Sequence, residues 1–418
     1  MEAQQVLDAI SEKLEVVGAK DQVSVDDIRP VSIPTSDRRN LAELEKELQR
    51  ALDSLKSDSR LPDLLFRLAN LHLKEANFGR AIVLYEVVLS IDSSRVPAWV
   101  HMGLAYLLGG EPKDAISCFG SALSIDPQNA DAHTYMAMAY LELGELEKCR
   151  EYAEKALGVD GGCALALVTM ARVLKENGNV PGAVAWLKRA LEVDRTYARA
   201  LLMLGEIYVE QGQYDMAIQI LGRAIESHPE HPYILAMLGD AYAGKGDFNM
   251  AVECYERALA VKSDDPQLWI KKGDTYRALR ANELAVQSYQ KAVHADPELV
   301  EAWVKSAQTL VMLGELESAL EYYNTAMALN PTNHEVAHLR GLLLMSLARY
   351  EDALADFDTA FSQEPSNPDH LYYRAKVLEK LGRIEEARRT LQIARNLYRE
   401  AGNSVRAAEC SAKLRTLK

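Results

Sequence analysis

Residues 96–129, VPAWVHMGLAYLLGGEPKDAISCFGSALSIDPQN, contain one complete turn of the pattern that organises this chain. Trp99, Met102, Gly103 and Tyr106 fall at helical spacing and line one side of a first helix. Gly109–Gly110 ends that helix, since glycine tolerates the left-handed cap conformation. Pro112 opens a second helix, at a position whose N–H has no intrahelical partner anyway. Ala115, Phe119 and Ala122 form its buried stripe, and Asp126–Pro127 closes the unit. The small residues Gly103 and Ala115 let the two helices approach, while Tyr106 and Phe119 fill the remaining space.

This 34-residue cycle repeats without insertion from about Pro62 to Glu400. Every thirty-fourth residue from Ala81 reads Ala81, Ala115, Cys149, Ala183, Ala217, Ala251, Ala285, Ala319, Ala353 and Ala387. Seven residues on, the same comb starts with Val88 and then gives alanine from Ala122 to Ala394. A fixed period of this length means stacked supersecondary units, each burying its apolar face against its neighbours.

The pattern resembles the tetratricopeptide repeat (TPR) over residues 62–401. The small residue of the first helix recurs as Ala69, Gly103, Ala137, Ala171, Gly205, Gly239, Gly273, Ala307, Gly341 and Ala375. Three places on stands a tyrosine in five units: Tyr106, Tyr140, Tyr208, Tyr242 and Tyr276. The resemblance implies an all-α, right-handed superhelical solenoid of about ten helix-turn-helix repeats: 62–95, 96–129, 130–163, 164–197, 198–231, 232–265, 266–299, 300–333, 334–367 and 368–401. Residues 1–38 read as an amphipathic helix (2–17) and a linker, residues 39–61 as an N-terminal capping helix, and residues 402–418 as a C-terminal capping helix. The third repeat departs most from the pattern, with Cys149 for the core alanine, Ala153 for the usual aromatic and an exit through Gly158, Gly161 and Gly162. Fewer filling atoms predict a soft joint there.

The chain has 418 residues, 48% of them hydrophobic, and 61 acidic against 47 basic side chains leave a net charge of −14. That balance argues against a nucleic-acid backbone or an anionic membrane surface as partner, because both need a basic footprint. No run approaches the roughly 18 apolar residues of a membrane span, and the acidic N-terminus lacks the form of an export signal, so a cytoplasmic location is expected. Five cysteines without paired spacing read as reduced thiols.

Several stretches imitate catalytic or binding motifs. His334-Glu335-Val336-Ala337-His338 matches HExxH, but it sits at a helix entrance in register with nine other repeats, and Ala337 occupies a core position. Gly239 to Gly246 imitates a phosphate loop, yet Gly246 stands where a magnesium-holding Ser or Thr is needed and no strand precedes it. His228 and His231 read as turn residues. No enzyme activity, cofactor or metal is expected.

In the tetratricopeptide family the first helices line a concave groove, and the resemblance places particular residues in it. Repeats two and three would supply Val100, Leu104, Leu107, Tyr135, Met138 and Leu141, an apolar patch; later repeats would add Arg172, Lys271, Arg277 and Lys305. The carboxylate clamp of chaperone-binding relatives is not matched, since Asn70 would be joined by Phe66, His101, Asp131 and Tyr135. The resemblance thus implies a non-enzymatic scaffold or adaptor that holds an extended or helical segment of another protein. A covering of the patch by the chain's own residues 2–17 is the competing expectation. Alternatives are a regulatory or substrate-recruiting subunit of an enzyme assembly, or a self-assembling homo-oligomer.

Overall fold

The structure is a computed structural model that describes residues 61–227 and 229–417; the helix, linker and cap expected before residue 61, and His228, lie outside them. Among the described residues there are 21 helices and no strand. They alternate as first and second helices: α1 (Leu61–Lys74) and α2 (Phe78–Ile91), α3 (Val96–Leu108) and α4 (Pro112–Ile125), α5 (Ala130–Glu142) and α6 (Leu146–Val159), α7 (Ala164–Glu176) and α8 (Val180–Val193). The series continues with α9 (Ala198–Glu210) and α10 (Tyr214–Ser227), α11 (Pro232–Lys245) and α12 (Phe248–Val261), and α13 (Pro266–Ala278) and α14 (Asn282–Ala295). It ends with α15 (Val300–Leu313) and α16 (Leu316–Leu329), α17 (His334–Ser346) and α18 (Tyr350–Gln363), α19 (Pro368–Lys380) and α20 (Ile384–Glu400), then α21 (Ser404–Thr416).

Two compact units divide between Ile207 and Tyr208, inside α9. In the first, each helix from α1 to α8 packs on the next; in the second, the same holds from α10 to α21. The two alanine combs explain this arrangement. Every residue of both, Cys149 and Val88 included, is wholly buried. A methyl side chain there lets helix backbones close up, and a larger one would cost about 1–3 kcal/mol in overpacking. The core is therefore a continuous series of shared interfaces within each unit.

The turns follow the same period. One residue per repeat, just past the first helix, has positive φ: Ala76, Gly110, Gly144, Gly178, Gly212, Gly246, Arg280, Gly314, Ala348 and Gly382. The following N–H then reaches back to close the helix, as Glu111 N–H does to the Tyr106 carbonyl at 2.9 Å. Side chains cap several first helices at their start: Asn129 accepts from the Ala132 N–H at 2.9 Å, and Asn333 from that of Val336 at 3.1 Å.

Candidate functional site

Contacts between like helices of adjacent repeats fall on the first helices. In the first unit α1 meets α3, α3 meets α5 and α5 meets α7; in the second α11 meets α13 and α17 meets α19. First helices therefore form the inner face of each stack, where side chains from consecutive repeats can meet.

On that face one polar clasp recurs at equivalent positions. Asp240 of α11 accepts from Tyr255 Oη of α12 at 2.7 Å and pairs with Lys271 Nζ of α13 at 2.6 Å. One repeat later, Asp274 accepts from Tyr289 Oη at 2.7 Å and pairs with Lys305 Nζ at 2.5 Å. In the first unit the same three positions hold Asn70, Tyr85 and His101: Tyr85 Oη donates to Asn70 Oδ1 at 2.6 Å, and His101 Nδ1 lies 2.9 Å from the same oxygen. Each clasp ties both helices of one repeat to the first helix of the next. Burial, assisted by the neighbouring aspartate, pushes the Tyr255 and Tyr289 phenols well above their ordinary range, so both stay protonated and donate. Lys271 and Lys305 remain half-buried with ammonium donors to spare, so they can engage a further acceptor while tethered. Half-exposed pairs of this kind add modest stability but hold charges in set places.

The other expected groove residues divide into two classes. Arg172 is exposed on α7, 3.8 Å from Glu142 and 3.4 Å from Glu176, and Arg277 is half-buried on α13. Val100, Leu104, Leu107, Tyr135 and Leu141, expected as an open apolar patch, are instead buried, and Met138 is half-buried. Four of the five belong to one cluster of buried side chains with Phe66, Met102 and Phe119; Leu141 joins a second with Cys149 and Ala153. Tyr135 tilts against Phe119 with 6.0 Å between ring centroids. At these positions the apolar side chains pack among core residues, and the competing expectation, a covering by residues 2–17, lies outside the described residues.

Profiles described as tetratricopeptide repeat match residues 106–164, 162–230, 196–264, 236–300, 271–334 and 338–405. The chain belongs to the tetratricopeptide repeat family. A search among curated proteins returned no match. Solved structures of similar fold include the C-terminal part of a TPR repeat-containing protein from Cytophaga hutchinsonii, 18% identical, covering 57% of this chain and 97% of that one, with a TM-score of 0.47. Pseudomonas aeruginosa pilF is 22% identical over 50% of this chain and 96% of its own, with a TM-score of 0.44. YrrB, described as a TPR protein with an unusual peptide-binding site, is 21% identical over 46% of this chain and 98% of its own, with a TM-score of 0.40.

Tetratricopeptide repeats are typically non-enzymatic, and the repeat explains the stretch that imitates a phosphate loop. Gly239–Gly246 is no loop: Gly239 lies within α11 against the Tyr255 ring, and Gly246 is its turn residue. Among the described residues no helix is long and apolar enough to cross a membrane. Two features escaped the sequence reading. The clasp partners Asp240 and Tyr255 were legible only as ordinary repeat residues. A row of exposed aliphatics, Ile91, Ile125, Val159 and Val193, closes the second helices of the first four repeats; their 34-residue spacing was the available signal.

Proposed function

We propose that this tetratricopeptide protein is a non-enzymatic scaffold that holds a segment of another protein against the inner face of its first helices. The recurring aspartate–lysine clasps carry the reading. They fix charges of both signs at one-repeat intervals along α11, α13 and α15, which suits an extended segment with polar groups at matching intervals. Because the charges are already held, less side-chain freedom is lost on binding. Arg277 extends this run of first helices, Arg172 lies on a first helix of the other unit, and Leu104 and its buried neighbours serve stability. We place the protein in the cytoplasm, where its five unpaired cysteines stay reduced.

The test is crosslinking capture with the full chain, comparing wild type with Lys271→Ala/Arg277→Ala. A partner protein recovered with wild type and lost with the double variant, at unchanged melting temperature, supports the reading. Equal recovery from both would remove it. Recovery of the chain alone, with light scattering that reports a multiple of its mass, would replace a foreign partner with self-assembly.

A further inference from the structure

Three histidines break the apolar combs of the repeat at a single junction, between the ninth and tenth units. His370 takes a position held by Ala98, Ala132, Ala166 and Ala302 in other repeats, all wholly buried. His338 stands where Val100, Val168 and Val304 stand, and His334 where Val96 and Val300 do. One such replacement is drift that a core can absorb. Three at one place, with their rings in contact, call for a local cause.

The geometry points to a metal site. His334 Nδ1, Glu364 Oε2 and His370 Nε2 all lie within 4.8 Å of one another. Both ring nitrogens are 3.2 Å from the same Glu364 oxygen. An ion bound tetrahedrally at about 2.0–2.1 Å sets its ligand atoms roughly 3.3 Å apart, so two edges of the coordination figure already have the required length. The elements supply the ligands from three directions: His334 opens α17, Glu364 follows α18, and His370 lies in the first turn of α19. His370 is almost fully buried and anchors the site, while the His334 and Glu364 side chains are 45% and 36% exposed, leaving a path for the ion and a fourth position for water.

We infer that His334, Glu364 and His370 form a binding site for a borderline divalent transition ion such as zinc, which clips the ninth repeat to the tenth. His338 is the supporting group. Its Nδ1 lies 3.0 Å from His370 Nδ1, so with Nε2 on the ion, the other nitrogen of His370 donates its hydrogen to His338, the outer hydrogen bond that metal-bound imidazoles ordinarily make. The His338 ring is itself held edge-on to Phe357 and Tyr373 at 5.5 and 5.4 Å. Two nitrogens and one carboxylate oxygen suit zinc rather than calcium or magnesium. This is not the arrangement of an HExxH protease, because His338 faces another imidazole rather than the ion, and Glu335 is exposed on α17. Without an ion the same groups form a hydrogen-bonded set: both rings and Asn367 Nδ2, at 3.0 Å, converge on Glu364 Oε2.

The experiment uses the untagged full chain, dialysed against zinc and assayed for bound metal, with cobalt absorption as a probe of tetrahedral coordination. One equivalent of zinc, an intense visible cobalt spectrum, and a melting temperature raised by zinc are expected. His334→Ala and Glu364→Gln alter partly exposed side chains, so the fold should persist; each should weaken zinc binding about tenfold or more and erase the zinc-dependent rise. No bound zinc in folded wild type, or equal binding in both variants, would overturn the site and leave the hydrogen-bonded set as its full description.

Discussion

Gly273 of α13 packs face to face with the ring of Tyr289 on α14, so closely that a Cβ on the glycine would lie 2.5 Å from Tyr289 Cε1. The same relation holds between Gly103 and Phe119 at 2.5 Å and between Gly239 and Tyr255 at 2.6 Å. In these three repeats the ring occupies the space a Cβ would need, whereas Ala69 and Ala307 stand opposite Tyr85 and Tyr323 in repeats where the ring leaves room for a methyl. Gly273→Ala is expected to destabilise the protein by about 1–3 kcal/mol and to loosen the Tyr289–Asp274–Lys305 clasp. Gly120→Ala, mid-helix in α4 with nothing within 4 Å of the new methyl, should be neutral or stabilising by up to about 1 kcal/mol. Denaturant melts of the two variants decide it; equal destabilisation would refute the steric account.

The positive-φ positions allow a reciprocal test. Ala348 has φ of 57° where most repeats have glycine, and Gly246 has φ of 88°. Ala348→Gly should gain stability or leave it unchanged, whereas Gly246→Ala should lose about 1 kcal/mol. An unfolding midpoint that falls for Gly246→Ala and rises or holds for Ala348→Gly is the expected pattern.

Burial lowers the pKa of His101 from 6.5 to about 4, with Arg95 acting in the same direction. The ring stacks on Phe66 at 5.2 Å and meets Tyr85 edge-on, with its Nδ1 at Asn70. As pH falls below 6.5 the unfolded chain takes up this proton while the folded chain does not. Stability therefore drops between pH 6.5 and about 4, by something on the order of 3 kcal/mol, and the loss is complete below that window. His101→Phe should flatten that part of a stability–pH curve; an unchanged slope would exclude His101 as its source.

Thiol labelling separates the cysteines. Burial pushes Cys118 and Cys149 up to about 12 and Cys254 up to about 11, and it raises Cys410 as well. Cys163 is half-exposed before α7. Alkylation of the native protein near neutral pH should therefore modify Cys163 first, with the other four reacting only in denaturant, as peptide mass spectrometry would read out.

Helix α6 buries only Cys149, Ala153 and Ala156, whereas α12 buries Ala251, Cys254, Tyr255, Ala258 and Leu259. Fewer filling atoms leave less free energy opposing local opening. Hydrogen exchange over 145–163 should be faster than over 240–260, and equal protection would contradict a soft third repeat.

The repeating alanines at Ala81, Ala115 and their successors determine the helix pairs by themselves. They are a local demand: two helices joined by a short turn must approach closely, so small residues recur at every crossing. The inner face was only partly legible. The family resemblance puts Lys271 and Lys305 on the groove side, but their pairing with Asp240 and Asp274 depends on how one repeat is rotated against the next, which no spacing within a repeat encodes. The same rotation decided that Leu104 and Tyr135 are buried rather than offered to a partner. It also gathered His334, Glu364 and His370 around a single point.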